Sequence, residues 1–257
     1  MTSEPILQVK NVNKAFGGVQ ALVNLSFSVA EGEIFGVIGP NGSGKTTLIN
    51  CITGFIKMDS GKVFYRDREI TGGAPHKIAN LGITRTFQIM RPYYSLPAYK
   101  NLIVPLFSPR AKRTGGWRGG GKLGDRDTVG IDILEEIGFE RDSFVPYKLA
   151  SSLPTGYLKR LELARCLALR PEVIMCDEVF SGLSMSEIAS MVPLIEKLQL
   201  EGLTLIMIEH RLRELFRVAN RVMVLNFGEK IAEGIPEEVM EDENVKQAYL
   251  GSEQSLH

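Results

Sequence analysis

The sequence predicts an α/β fold: a mostly parallel sheet covered by helices on both faces, antiparallel strands at the N-terminal end, and an inserted helical segment in the middle. Three observations across the 257 residues carry this expectation. From about residue 156 onward, short wholly apolar runs alternate with helical patterns. The first third is instead rich in β-branched and aromatic runs of strand length. Residues 90–155 contain no convincing apolar strand.

Taken in order, ILQVK (6–10), ALVNLSFSVA (21–30) and KVFYRDREI (62–70) read as strands, because such residues fit a pleated, half-buried surface. EIFGVIG (33–39) is an apolar run closed by glycine, a buried strand, and KTTLINCITG after it reads as a helix. In the middle, helices are expected near 98–107 and 129–138. The glycine-dense basic stretch between them, near 108–127, reads as a flexible solvated loop or as a basic contact surface around Trp117, the only tryptophan. VIMC (173–176) is followed by a helix over about 185–200, and LTLIMI (203–208) by one over about 211–219. RVMVLN (221–226) and KIAEG (230–234) are further strands, and Pro236 opens a last helix. The chain is thus one large domain: 1–88 and 156–257 form a core that includes the N-terminal strands, and 89–155 form the insertion.

Composition narrows the function. The chain is 44% hydrophobic and 23% charged, as ordinary globular proteins are. Thirty basic residues balance thirty acidic ones, which argues against a nucleic-acid partner. Cys51, Cys166 and Cys176 stand alone without C-x-x-C spacing, so neither a disulfide scaffold nor a zinc cluster is expected. MTSEPILQVK lacks the basic and apolar regions of a secretory signal, and no apolar run reaches the roughly 18 residues of a membrane span. Work at a membrane would therefore need a partner to hold the chain there.

The chemistry is carried by Gly39-Pro40-Asn41-Gly42-Ser43-Gly44-Lys45-Thr46, which fits G-x-x-x-x-G-K-[ST] between an expected strand and an expected helix. Glycines let the backbone wrap closely and turn its N–H groups inward as an anion nest, and the helix start adds its positive end. Lys45 is placed to neutralise the β- and γ-phosphates of a nucleotide, and the Thr46 hydroxyl to ligate Mg²⁺. Downstream, an apolar strand ends in Asp177-Glu178. Adjacent carboxylates project in different directions, so Asp177 would hold the metal through water while Glu178 takes a proton from the attacking water. LTLIMIE ends in His210, at the same end of the expected sheet, where it would reach the γ-phosphate as a donor. Gln88, after Gly82-Ile83-Thr84-Arg85-Thr86-Phe87, draws no attention by itself.

Together these residues resemble the ATP-binding-cassette (ABC) ATPases, a phosphate-loop NTPase family, and most specifically the importer subunits of the branched-chain amino-acid type; the resemblance spans nearly the whole chain. GPNGSGKTT, which adds Thr47, resembles that family's Walker A run, MCDE its Walker B aspartate and catalytic glutamate, GITRTFQ its Q-loop run and IEH its switch histidine. LKRLELARCLA is similar to the helix after the family's signature, and FGEKIAEGIPEEV…AYLG to the subfamily's C-terminal strand and helix. The resemblance implies ATP hydrolysis with Mg²⁺, and roles for Gln88 in catalysis and metal binding. It also places Phe16 of KAFGG where an aromatic stacks on adenine. It further implies that 89–155 is the α-helical subdomain and that a groove below the Q-loop receives a coupling helix. Implied partners are two membrane permeases at the cytoplasmic face of the inner membrane, a second, paralogous ATPase subunit bound head to tail, and, indirectly, an extracytoplasmic solute-binding protein.

Four positions depart from the pattern. The signature is Leu153-Pro154-Thr155-Gly156-Tyr157, without its serine and glutamine; Val179 stands for the usual proline, Ser184 for the D-loop aspartate, and Arg211 follows the histidine where aspartate is common. The reading is an importer ATPase whose altered signature, Pro154, Thr155 and Gly156, would serve the partner's nucleotide. The ATPase of a lipid or lipopolysaccharide exporter shares these motifs. A soluble ABC protein of translation or DNA repair would carry two cassettes or long coiled coils. A phosphate-loop kinase would lack LELARCLA before the Walker B strand, and a GTPase would need an N-K-x-D motif, which is absent.

Overall fold

The computed structural model describes residues 5–114 and 126–253, so Trp117 and most of the basic glycine-dense stretch lie outside the described residues. The strands are β1 (Pro5–Phe16), β2 (Val19–Ala30), β3 (Ile34–Ile38), β4 (Ser60–Tyr65), β5 (Arg68–Glu69), β6 (Ile83–Arg85), β7 (Val173–Asp177), β8 (Thr204–Ile208), β9 (Arg221–Asn226) and β10 (Glu229–Gly234). The helices are α1 (Lys45–Ile52), α2 (Pro75–Leu81), α3 (Ile103–Leu106), α4 (Pro109–Arg113), α5 (Arg126–Glu136), α6 (Thr155–Leu167), α7 (Met185–Leu200), α8 (Leu212–Phe216), α9 (Pro236–Glu241) and α10 (Glu243–Glu253).

Two sheets result. One is antiparallel, in the order β2-β1-β4-β5; the other runs β10-β9-β3-β8-β7-β6 and is parallel except for β10. The parallel strands lack polar alternation because both of their faces are covered. Phe35 and Val37 of β3, Val173 and Met175 of β7, Ile206 and Ile208 of β8, and Met223 and Leu225 of β9 face a core shared with the antiparallel sheet and α1. The alternate residues Ile34, Ile38, Ile174, Cys176, Leu205, Met207, Val222 and Val224 face a second core built with α5, α6 and α7. The side-chain period of 2 therefore sorts one apolar strand into two cores.

Several elements differ from the sequence expectation. The run 62–70 is two strands, because Arg66 adopts φ 52° and turns the chain; its guanidinium is tied to Glu31 and Glu172. The last helix divides at Asp242, whose extended backbone (ψ 124°) breaks it and whose carboxylate accepts from the Asn244 N–H at 2.7 Å. The helix expected over 211–219 is one short turn, α8. The expectation near 98–107 becomes a 3₁₀ turn, Tyr99–Leu102, running into α3. Unforeseen are α2, opened by Pro75 at its first position, and β6, a three-residue edge strand beside β7. Among the described residues from β6 to α6 there is no strand, only an isolated bridge of Pro97 with Leu149. The three cysteines are buried and unpaired. Among the described residues, no helix is long and apolar enough to cross a membrane.

Candidate nucleotide site

The loop from Gly39 to Gly44 links β3 to α1, and two of its glycines are required by close backbone approach. A Cβ on Gly39 (φ 147°) would lie 2.0 Å from the Leu225 carbonyl oxygen, and one on Gly44 (φ 105°) 2.3 Å from that of Ala21. Ser43 is buried, and its carbonyl accepts from Gly228 N at 3.0 Å, so the loop is fastened to the turn between β9 and β10. Asn41 and Gly42 are exposed, Pro40 is half-buried, and Thr46 and Thr47 open the first turn of α1 on its accessible side. Lys45 is buried, and its ammonium donates to the carbonyls of Gly39 (2.7 Å) and Pro40 (2.8 Å). Burial lowers its pKa, against the pull of Glu178 and Asp177.

Asp177 ends β7 and Glu178 follows it. Glu178 adopts φ 53°, an unusual conformation for a residue with a side chain, costing of order 1–3 kcal/mol. Four contacts hold it there. Its N–H donates to the Ile208 carbonyl at 2.9 Å, and its own carbonyl accepts from the buried Lys159 ammonium of α6 at 2.8 Å. Its carboxylate lies between Gln88 Nε2, which donates to Oε2 at 3.0 Å, and His210 Nε2, 3.1 Å from Oε1. Three residues from distant parts of the sequence thus meet at one carboxylate. The Gln88 amide oxygen takes no part in that bond and is the atom of ligand type.

Asp177 is turned the other way, into the protein. Its Oδ2 accepts from Arg85 Nη2 at 2.9 Å, and its backbone N–H donates to Thr86 Oγ at 3.0 Å. Its Oδ1 is buried with no partner. A buried unpartnered carboxylate oxygen is costly, and it suits a group that binds a cation through water. Burial raises the Asp177 pKa, opposed first by Arg85. Behind Glu178, the carboxylate of Glu209 accepts from Phe180 N at 3.1 Å, and burial pushes its pKa up to about 8. Lys159 close by is held below its usual range, again by burial.

Phe16 stands half-exposed at the tip of the β1–β2 hairpin, with the Lys14 ammonium 5.1 Å from its ring centre. The start of α6 is built differently from the loop. Pro154 lies one position before the first helical turn and caps with no side-chain bond; Pro154 and Thr155 are exposed and Gly156 is buried. Tyr157 packs on Phe139 (4.9 Å between ring centres) and donates to the Glu140 carboxylate at 2.9 Å. Ser184 caps α7 in a reciprocal box with Glu187, and Arg211 Nη2 donates to the Leu183 carbonyl at 3.1 Å.

Sequence reading singled out neither Arg85, Lys159 nor Glu209. The only trace of Glu209 was an acidic residue closing a wholly buried strand. Arg85 lies on a strand whose register, and Lys159 on a helix whose packing, sets its significance.

A Walker-type loop and an acidic strand end on a mostly parallel sheet define a nucleotide-binding α/β cassette. The family model "ABC transporter" matches residues 22–181, and "Branched-chain amino acid ATP-binding cassette transporter" matches 229–254. The chain is 36% identical to the high-affinity branched-chain amino acid transport ATP-binding protein LivG of Salmonella typhimurium, over 97% of this chain and 99% of that protein. It is 35% identical, with the same coverage, to the corresponding protein BraF of Pseudomonas aeruginosa. A crystal structure of the ADP conformation of an ATP-binding cassette from an ABC transporter superposes with TM-score 0.82 at 33% identity, over 96% of this chain and 99% of that one. The chain belongs to the ABC transporter family, among the ATP-hydrolysing subunits of the branched-chain amino-acid type.

Proposed function

We propose that this ATPase drives import of a branched-chain amino acid or related small polar solute through two membrane permease subunits, working at the cytoplasmic face of the membrane. An extracytoplasmic solute-binding protein would deliver the cargo. The observation that carries the catalytic part is the Glu178 carboxylate held between Gln88 and His210, in electrostatic reach of Lys45. Glu178 acts as general base toward the attacking water, and His210 donates to the γ-phosphate. Gly39 to Gly44 cradle the phosphates with backbone N–H groups, Lys45 and Thr47 bind them, and Phe16 stacks on adenine. Thr46, Asp177 and the Gln88 amide oxygen are the groups that would hold Mg²⁺, with the unpartnered Oδ1 of Asp177 supporting the fit. Mg²⁺ supplies neutralisation of phosphate charge.

Residues 1–88 and 156–257 act as the nucleotide-binding core and 89–155 as the helical subdomain. A cavity of about 250 Å³ beside Phe87, walled by Phe55, Pro75, Ile78 and Ile83, is the seat for a permease helix. A second, paralogous cassette binds head to tail and offers its own signature to this loop. A solved dimeric bacterial cassette at 25% identity and TM-score 0.76 supports such pairing.

The experiment is Glu178→Gln in the complete transporter. ATP binding persists and turnover falls by roughly 10²–10⁴-fold, the contribution typical of a positioned base. Turnover at the parental rate would remove the assignment.

A further inference from the structure

Arg85 lies between the nucleotide site and the apolar cavity, and each of its three guanidinium nitrogens is engaged. Nε donates to the Thr86 carbonyl at 3.1 Å, Nη1 to Asn50 Oδ1 of α1 at 2.5 Å, and Nη2 to Asp177 Oδ2 at 2.9 Å. Its guanidinium carbon is 4.7 Å from the Phe87 ring centre and 5.6 Å from that of Phe55, and the two rings meet edge to face. The ion pair is almost wholly buried, at 7% exposure for Arg85 and 1% for Asp177. A guanidinium is a planar fork, and one fixed at all three nitrogens between aromatic rings has no freedom left to swing.

A buried aspartate without such a partner could turn its carboxylate about the side-chain bond. Two other cations, Lys45 and Lys159, act on the same carboxylate. Arg85 decides among these orientations: it occupies Oδ2 and leaves Oδ1 as the unpartnered oxygen. The same short segment has a second grip, since Gln88 bonds the Glu178 carboxylate. Residues 85–88 therefore hold both acidic side chains at the end of β7.

We propose that Arg85 is the positioning residue of the metal-binding carboxylate, fixing Asp177 through Oδ2 so that Oδ1 is presented to the nucleotide's Mg²⁺. This rests on the reading of Asp177 as a metal-binding residue given above. Arg85 also lines the apolar cavity, together with Phe55 and Phe87. Charge alone does not fix Asp177. Lysine at position 85 would keep the positive charge but, as a point donor, would lose the planar hold on Asn50, Thr86 and Asp177 at once.

The test measures ADP affinity of the full chain with Mg²⁺ and with EDTA, for the parent, Arg85→Lys and Asp177→Asn. In Arg85→Lys the affinity in EDTA stays at the parental value, and the gain on adding Mg²⁺ shrinks about 10-fold, the scale of one charged hydrogen bond. A purely structural role would lower both affinities together, and that result overturns the proposal. So does an unchanged Mg²⁺ gain in Arg85→Lys when Asp177→Asn has lost it; Arg85 then fails while the metal reading stands. If Asp177→Asn keeps the gain, the metal reading itself fails, and the proposal with it. Should Arg85→Lys not fold, Asn50→Ala releases one nitrogen of the fork and must reduce the Mg²⁺ gain in the same direction, with affinity in EDTA unchanged; no reduction overturns the proposal.

Discussion

The phosphate loop and the start of α6 are both glycine-containing turns that lead into a helix, yet they are equipped in opposite ways. The loop carries a buried lysine and a buried serine, and its backbone is pressed against Ala21 and Leu225 so closely that two positions admit only glycine. The start of α6 has a capping proline with no side-chain bond and an exposed threonine, and its tyrosine is turned away toward Glu140. The first turn offers an anion a lysine side chain as well as backbone N–H groups; the second offers backbone N–H groups, a helix dipole and the lone hydroxyl of Thr155. Polar side chains worth keeping at fixed geometry are thus concentrated around this chain's own loop. One residue joins the two regions: Lys159, in the second turn of α6, reaches the Glu178 carbonyl. A helix whose start is poor in side-chain donors still props Glu178 of its own chain.

The largest test of this contrast, after Glu178→Gln, is the loop lysine. Lys45→Ala should weaken nucleotide binding by about 10- to 100-fold, since hydrogen bonds to charged groups are worth roughly 1.5–3 kcal/mol. The loss should be present with and without Mg²⁺, whereas Thr46→Ala should lose affinity mainly with Mg²⁺. Unchanged binding in Lys45→Ala, measured by calorimetry, would end the phosphate-loop reading.

Restoring the poorer side comes next. Pro154→Ser with Tyr157→Gln supplies the absent hydroxyl and amide, and should raise turnover of the complete transporter by up to about tenfold, the low end of the same range. If turnover does not move, Thr155 or the backbone already serves, and the contrast has no catalytic weight.

A smaller effect is expected in the chain by itself. Two copies paired head to tail would each present the altered signature, so the isolated chain should be a weak ATPase and a monomer or transient dimer. A fast, stable homodimer in sedimentation and turnover assays would contradict this.

A last effect, on stability and not on turnover, sharpens the richer side. Glu209 has a folded pKa raised from 4.5 to about 8 by burial. Its stabilising contribution is therefore whole below about 4.5 and is lost as pH rises toward 8, because the unfolded chain ionises first. Glu209→Gln cannot ionise, so relative to the parent it should gain stability steadily between pH 5 and 8, read from urea midpoints. Parallel pH profiles for the two proteins would refute the buried protonated carboxyl.

Much of this was legible in residue order. The strand–loop–helix at 33–52 and the strand ending in Asp177 are contiguous signals, whose chemistry needs neighbours in sequence only. Wholly apolar strands implied a sheet covered on both faces, and they are so covered. What failed was local geometry with weak composition cues. Arg66 turns the chain in a left-handed conformation that nothing about arginine announces, and Asp242 breaks a helix through its backbone. The three-residue β6 is too short to show periodicity and exists because β7 offers it an edge.

The sequence by itself determined the phosphate loop, the acidic strand end, the family and the kind of fold, because each is encoded in short segments whose spacing a few turns of chain enforce. Only the tertiary structure decided that Gln88 and His210 share Glu178, that Arg85 takes one oxygen of Asp177 and leaves the other, and that Lys159 supports the strained glutamate. Those partners lie on separate strands and helices, and the register of β6, β7 and β8 in the parallel sheet brings them within hydrogen-bond distance.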